Sequence, residues 1–388
     1  MFQSNSLVGR LLALAVLALP VMGGTAVTAR EAMSFAELLG WAEDDHAEAL
    51  QAFRRACALP AGAGPAKVRE SLAKICDLAL AMTSREASDR TRARAFFEAN
   101  FRPFRFHHDT DEGLLTGYFE PELVGSLQRD SRFNVPVLRR PDDLVDVVPA
   151  NQRAAANAEG RLASMRRTDG GLVPYYTRAE IEGGALAGRG LELVYLDSAI
   201  DAYFMHVQGS GSIRLDDGHV MRIGYAGKNG YPYTSAGSVL IREHAIRRED
   251  LTMQSMRTWL AAHPKQARRV IQENKSYIFF EVKTLAQGAT GPIGGHGTPL
   301  TPRRSLAVDP TYHVLGAPVF VVCDGLPATG GEPFRHVLIA DDVGSAIKGP
   351  ERGDIFWGTG EAAGDIAGRT KHRGNLYALL PRELDAAE

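Results

Sequence analysis

Three aspartates towards the C-terminus, Asp309, Asp342 and Asp354, stand in the segments VDP, DDVGSAIKG and GDIFWG. A carboxyl group can act as general acid and base when burial or a neighbouring carboxylate lifts its pKa toward neutrality. Asp354, followed by the run IFWG, is the candidate acid, and Asp342 is its natural neighbour. Taken singly, each aspartate also suits a turn, where carboxylates bond the local backbone. All three in this order, in these glycine-rich contexts, favour a site.

Other polar clusters narrow the chemistry. Gln208, Gly209, Ser210 and Gly211 form a compact segment in which glycine lets backbone approach a ligand and the Gln amide both donates and accepts. It lacks the third glycine of a dinucleotide fingerprint, and Gln208 to Ile213 does not supply the Gly-x-Ser-x-Gly of a nucleophile elbow. YAGKNG, residues 225–230, is not a phosphate loop, because Arg222 and Asn229 stand where that motif needs glycine and Ser or Thr. Asn229-Gly230 reads as a hairpin turn, with Lys228 able to face a groove. No His-Glu-x-x-His spacing argues for zinc, and no cofactor is expected. Cys323, inside VFVVCDG, reads as a buried strand residue without a nearby His to activate it.

These groups need a frame. Ser34 and Glu37 make a capping box, and Phe35, Leu38, Leu39 and Leu50 recur at helical spacing, which predicts a helix from Ser34. Pro65 opens a second helix, and Ser84 caps a third that carries Phe96 and Phe97. After Phe101 the texture changes to short apolar runs. LLTGYFEPEL predicts a strand with a turn at Glu120 and Pro121. Pro136 to Gly160 reads as a strand and a surface connection, and Thr177 with Glu180 as a capped turn. LELVYLDS and AYFMHVQGSGSIRL read as β runs separated by a short turn. Glu249 to Asn274 is two helices, the second restarted by Pro264, and SYIFFEV is a buried strand. From Ser305 onward the runs SLAVDP, APVFVVCDG, RHVLIADD, GDIFWG and LYALLP are strands.

With 388 residues, 45% of them hydrophobic and 23% charged, the chain can bury a full core and suits two domains. Its 40 glycines and 20 prolines favour turns, and a net charge of -2 without a long basic run sets nucleic acid aside. Arg10, the apolar run Leu11 to Met22 and the small residues before Arg30 read as a secretory signal peptide over residues 1–29. The run is well short of the about 20 residues that a membrane span needs. The oxidising compartment this implies permits a bridge between Cys57 and Cys76, with two buried thiols as the equal alternative.

Thr116-Gly117-Tyr118, the QGSG segment, YAGKNG and the three aspartates together resemble the membrane-bound lytic murein transglycosylase A family, with its three-aspartate domain, from about Leu114 to Leu380. Ser345 replaces a glycine of the family's D-V-G-G-A-I-K-G segment, and PERGD is a residue longer than in some members and lacks their aromatic before the last acid. No lipid-attachment cysteine follows the apolar run, so the resemblance is to a periplasmic enzyme, soluble or associated with the outer membrane by other means. The fold implied is mainly β with N-terminal helices. Residues 30–120 and 284–388 would form one domain containing a double-psi β-barrel, and residues 121–283 an inserted, β-barrel-like domain, with a sugar groove between the two.

The same resemblance implies a reaction and its residues. Asp354 would be the general acid and base, supported by Asp342, with Thr116, Tyr118, Gln208, Gly209, Ser210, Lys228 and Asp309 on the substrate. The reaction would cut the β-1,4 bond between N-acetylmuramic acid and N-acetylglucosamine, with the C6 hydroxyl closing a 1,6-anhydro ring. The expected partners are peptidoglycan glycan strands, with other cell-wall enzymes as a further class, and a monomer is the expected form. Two rivals are a hydrolase on the same barrel, with Asp342 as base, and a peptidoglycan-binding module without activity.

Overall fold

The computed structural model describes residues 30–62, 64–106, 113–149, 156, 160–284, 291–326, 330–344 and 346–383. The expected signal peptide and Ser345 lie outside the described residues.

The N-terminal part is helical. The Ser34–Glu37 capping box forms, but it closes only a short 3-10 turn, because Leu38 leaves the helical region and Gly40 turns at a φ of 79°. The first α-helix, α1 (His46–Ala56), starts at Asp45, whose carboxylate accepts from the Glu48 N–H. Pro65 precedes α2 (Ala66–Ala81), as its sequence predicts. Thr83, not Ser84, caps the short α3 (Ser84–Ala87), and Asp89 caps α4 (Arg90–Asn100), which carries Phe96 and Phe97. Cys57 and Cys76 are bridged, tying the end of α1 to α2.

Strands β1 (Arg30–Ala32), β2 (Phe101–Phe106) and β3 (Gly113–Glu120) are followed by β4 (Glu122–Ser126), β5 (Val135–Leu138), β6 (Leu144–Asp146), β7 (Ser164–Thr168), β8 (Gly171–Pro174) and β9 (Glu192–Leu196). Then come α5 (Ala199–Gln208), β10 (Ser210–Leu215), β11 (Val220–Lys228), α6 (Ala236–Arg242), α7 (Met253–Ala262), α8 (Pro264–Gln272) and β12 (Ile278–Val282). The C-terminal strands are β13 (Ser305–Val308), β14 (Pro318–Cys323), β15 (Phe334–Val343), β16 (Arg352–Thr359) and β17 (Lys371–Pro381), with α9 (Glu361–Arg369) before the last.

Six of these strands close a barrel. The order β17-β14-β15-β13-β16-β3 is completed by a pairing of β17 with β3, while β2 and β1 extend outward from β17. Leu115, Leu306, Val319, Val321, Leu338, Ile355 and Leu376 fill the interior. The C-terminal strands are therefore those the sequence predicts, and Cys323 is a buried strand residue with its thiol donating to the Arg373 carbonyl.

The strands from β4 to β12 leave the barrel after β3 and build a second sheet, in the order β12-β11-β10-β4-β9-β5, and a separate three-stranded sheet, β6-β7-β8. A lone bridge from Arg139 to Phe280 brings the two edges of the six-stranded sheet together. The chain is thus mixed α and β, with helices beyond the N-terminal part. AYFMHVQ is helix α5 rather than a strand: Ser198 caps it, Gly209 ends it at a φ of 79°, and it is wrapped by apolar side chains, Tyr203 and Phe204 against one cluster and Ala202 and Met205 against another. Nor does Asn229-Gly230 make a hairpin. The Asn229 side chain is buried, accepting from Tyr277 N–H and donating to the carbonyls of Tyr176 and Lys275. Gly230 has a φ of 92° and would meet the Ser164 backbone at 2.3 Å with any Cβ.

One ion cluster seats α1 on the barrel. Arg304, just before β13, reaches Asp44, Glu48 and the carbonyls of Asp45 and Val337. Burial pushes the Asp44 carboxyl up, but His336, Arg304 and the Val337 N–H pull it below its ordinary value. Asp44→Ala would leave the Arg304 guanidinium buried with its main partner gone. Chemical denaturation is expected to show a loss of about 3–5 kcal/mol. Because the folded pKa is depressed, the wild-type protein is expected to lose this contribution as pH falls through that pKa, and the variant to lack the acid dependence.

Candidate active site

The site is a row across the outside of the barrel. Lys371 on β17 pairs with Thr116 on β3, Thr116 with Asp354 on β16, Asp354 with Ala307 on β13, and Ala307 with Asp342 on β15. Cross-strand partners share a face, so the two acids flank a small residue, their backbones separated by two strand spacings, about 10 Å. Asp354 and Asp342 lie within strands rather than in turns. Residues on the alternate positions, Leu115, Leu306 and Ile355, point into the core.

A register shift chooses which acid faces the row. Leu306 pairs with Ala340, but the next residue, Ala307, pairs with Asp342, skipping Asp341. Bulges re-aim side chains in this way. Asp341 is only 4% exposed, and its carboxyl accepts from the Ser305 hydroxyl at 2.9 Å. Burial, together with Asp342, pushes its pKa well above the ordinary value.

Asp342 is fully engaged. Its Oδ2 accepts from the Tyr118 hydroxyl at 2.7 Å, and its Oδ1 from the N–H groups of Gly295 at 2.7 Å and Val343 at 2.8 Å. Burial raises its pKa, and these three donors pull it back. Burial and the surrounding acids hold the Tyr118 phenol far above its usual pKa, so it stays a donor. The Tyr118 ring rests against Phe356, with centroids 5.3 Å apart.

Asp354 is different. Its Oδ1 accepts from the Thr116 hydroxyl at 2.5 Å, and among the described residues no donor is bonded to Oδ2. Burial raises its pKa to about 6, with Thr116 and Arg352 pulling down and Asp342 pushing up. An acid so placed is a proton donor and acceptor near neutral pH.

The remaining expected residues lie around this row. Gln208 ends α5, and its Oε1 accepts from the Phe119 N–H at 3.2 Å, beside Tyr118. Gly209 and Ser210 form the helix-to-strand junction that follows, and Lys228 ends β11 opposite Ile278. Asp309 is buried after β13; its carboxylate accepts from the N–H groups of Thr311 at 3.1 Å and Gly349 at 3.0 Å, with Lys348 3.8 Å away. Sequence reasoning missed Arg352, Ala307 and Gly295. Arg352 could have been found, because it stands two residues before Asp354 in a strand and so shares its face. No grouping of His, Cys, Asp and Glu among the described residues could hold a metal.

A closed barrel carries on its outer face an acid whose pKa is raised to about 6, with a sheet inserted after its first strand. Two family signatures match the chain: the MltA specific insert domain over residues 114–281 and the 3D domain over residues 304–380. The crystal structure of a membrane-bound lytic murein transglycosylase from Agrobacterium tumefaciens is 33% identical, with a TM-score of 0.82 over 92% of this chain and 99% of that one. MltA from Neisseria gonorrhoeae is 31% identical, with a TM-score of 0.72 over 91% of each. Escherichia coli MltA with bound chitohexaose is 27% identical, with a TM-score of 0.62 over 88% of this chain and 90% of that one. This chain belongs to the membrane-bound lytic murein transglycosylase A family. Among sequence relatives, the Vibrio cholerae protein of that name is 34% identical over 272 residues, 69% of this chain and 65% of its own length. The Agrobacterium and Vibrio relatives are named membrane-bound; among the described residues of this chain, no helix is long and apolar enough to cross a membrane.

Gly117, between the two β3 site residues, has no room for a side chain. A Cβ there would meet the Trp357 indole at 2.5 Å and the Ala367 Cα at 2.9 Å. Gly117→Ala is expected to cost about 1–3 kcal/mol in thermal unfolding. It should also weaken catalysis, by shifting Thr116 and Tyr118 away from the acids.

Proposed function

We propose that this chain is a peptidoglycan lytic transglycosylase working with one catalytic carboxyl, Asp354. The observation that carries the reading is the contrast between the acids. Asp354 has a pKa near 6 and an uncommitted oxygen, whereas both oxygens of Asp342 are taken by three donors. Asp342 is thus poorly placed to act as nucleophile or to activate water, as hydrolysis with two carboxylates requires.

In this reading, protonated Asp354 gives its proton to the glycosidic oxygen between N-acetylmuramic acid and N-acetylglucosamine as the C1–O bond breaks. The resulting carboxylate takes the proton of the muramic acid C6 hydroxyl, whose oxygen closes on C1. The products are a free 4-hydroxyl and a 1,6-anhydro ring; no water is consumed, and the acid is restored.

The glycan lies in a groove between two domains. One comprises residues 30–120 and 284–388, with its barrel of double-psi type; the other is the barrel-like insert, residues 121–283. Tyr118, Gln208, Gly209, Ser210 and Lys228 line the groove, while Thr116 acts through Asp354 and Asp309 fixes the loop at Gly349. The chitohexaose bound by the Escherichia coli relative supports a glycan chain as ligand. The protein works as a periplasmic monomer on peptidoglycan strands.

Mass spectrometry of digested peptidoglycan is expected to show 1,6-anhydro ends, and reducing ends would favour the hydrolase. Asp354→Asn should cut muropeptide release about 10²–10⁴-fold while leaving retention on insoluble peptidoglycan unchanged; full activity would sink the assignment. Since the donor must be protonated, kcat/KM is expected to hold below about pH 6 and to fall as pH rises through it.

A further inference from the structure

Arg352 enters the site from the same strand face as Asp354. Its Nη1 donates to the carbonyls of Leu114 and Gly353, one on each of the paired strands β3 and β16, which fixes the guanidinium. Its Nη2 donates to Thr116 Oγ1 at 2.8 Å, and that hydroxyl meets Asp354 Oδ1 at 2.5 Å. An arginine only donates, and a threonine hydroxyl has a single proton. With Arg352 on its acceptor side, Thr116 can only give that proton to Asp354.

We propose that Arg352 is a positioning residue that acts through Thr116: by fixing the direction of the Thr116 hydroxyl it makes Asp354 Oδ1 the permanent acceptor and leaves Oδ2 as the oxygen that carries the transferable proton. This deepens the transglycosylase reading and rests on it for the meaning of that proton. A carboxyl that could present either oxygen would lose productive orientation in part of its population, whereas the relay fixes one. The charged and titratable groups around Asp354 are Arg352 on its own strand, Asp342 on β15, Tyr118 on β3 through Asp342, and Lys371 on β17 in register with Thr116. Arg352 acts on the acid both as a nearby charge and through a hydrogen-bonded hydroxyl, and only the second influence depends on that hydroxyl.

The test is the titration of the Asp354 carboxyl by carbon-13 NMR in the folded protein, alongside the rate of muropeptide release. Thr116→Val removes the donor and should raise the midpoint above its wild-type value near 6, with kcat falling about 10²-fold. Thr116→Ser should restore both. Arg352→Leu should raise the midpoint in both backgrounds, and by more in the Thr116 background than in the Thr116→Val background. Arg352→Lys keeps the charge but cannot span both carbonyls and Thr116, so its midpoint should also rise; it serves if the leucine variant does not fold. An equal shift from Arg352→Leu in both backgrounds, or no shift in Arg352→Lys, would overturn the relay. A wild-type protein that shows the predicted titrations yet releases no glycan fragments would overturn the proposed reaction and leave the relay standing.

Discussion

The site depends on where β3 lies. This strand pairs in parallel with β16 and antiparallel with β17, and those two pairings are what close the barrel. The same register delivers Thr116 to Asp354 across 238 residues of sequence. A slip of one residue would turn every side chain of β3 to the opposite face, replacing Thr116 with Leu115 or Gly117. Closure and chemistry are therefore one constraint, and the interior packing of Leu115 against Leu306, Ile355 and Leu376 holds it in place.

Within that frame, the three neighbouring aspartates are set apart by what surrounds them. Desolvation raises all three, but the side chain of Asp342 accepts from three donors, that of Asp341 from the Ser305 hydroxyl and that of Asp354 from the Thr116 hydroxyl. Asp341 lies on the buried side of the bulge, where burial raises its pKa. Asp342 is held by backbone N–H groups and a phenol, which makes it a fixed neighbour. Asp354 combines partial exposure with a pKa raised to about 6. The number of donors on each oxygen therefore separates the roles better than proximity does.

Much of this was legible in the sequence. The C-terminal strands announce themselves because their apolar runs are buried in the barrel, and the glycine-bracketed acids stand out against them. Helix α5 was misread because AYFMHVQ touches two clusters at once, so neither a 2.0 nor a 3.6 period emerges from its apolar residues. The capping box at Ser34 is real, yet a cap does not fix helix length, and Gly40 ends the turn early. Asn229-Gly230 has hairpin composition, but a buried side-chain amide outweighed it. The parts of the site that could not be read, Ala307 between the acids and the skipped Asp341, follow from register across strands distant in sequence.

The order of the chain also matters for how the molecule comes into being. Strand β3 is made early, then the whole inserted sheet, and only afterwards the five strands that complete the barrel; Lys371 to Gly374 of the last strand pair with β3. A growing chain therefore contains Thr116 and Tyr118 long before it has an Asp354 to set beside them. Long-range β pairing of this kind is intrinsically slow. The two halves of the site can therefore meet only when nearly all of the polypeptide has been made.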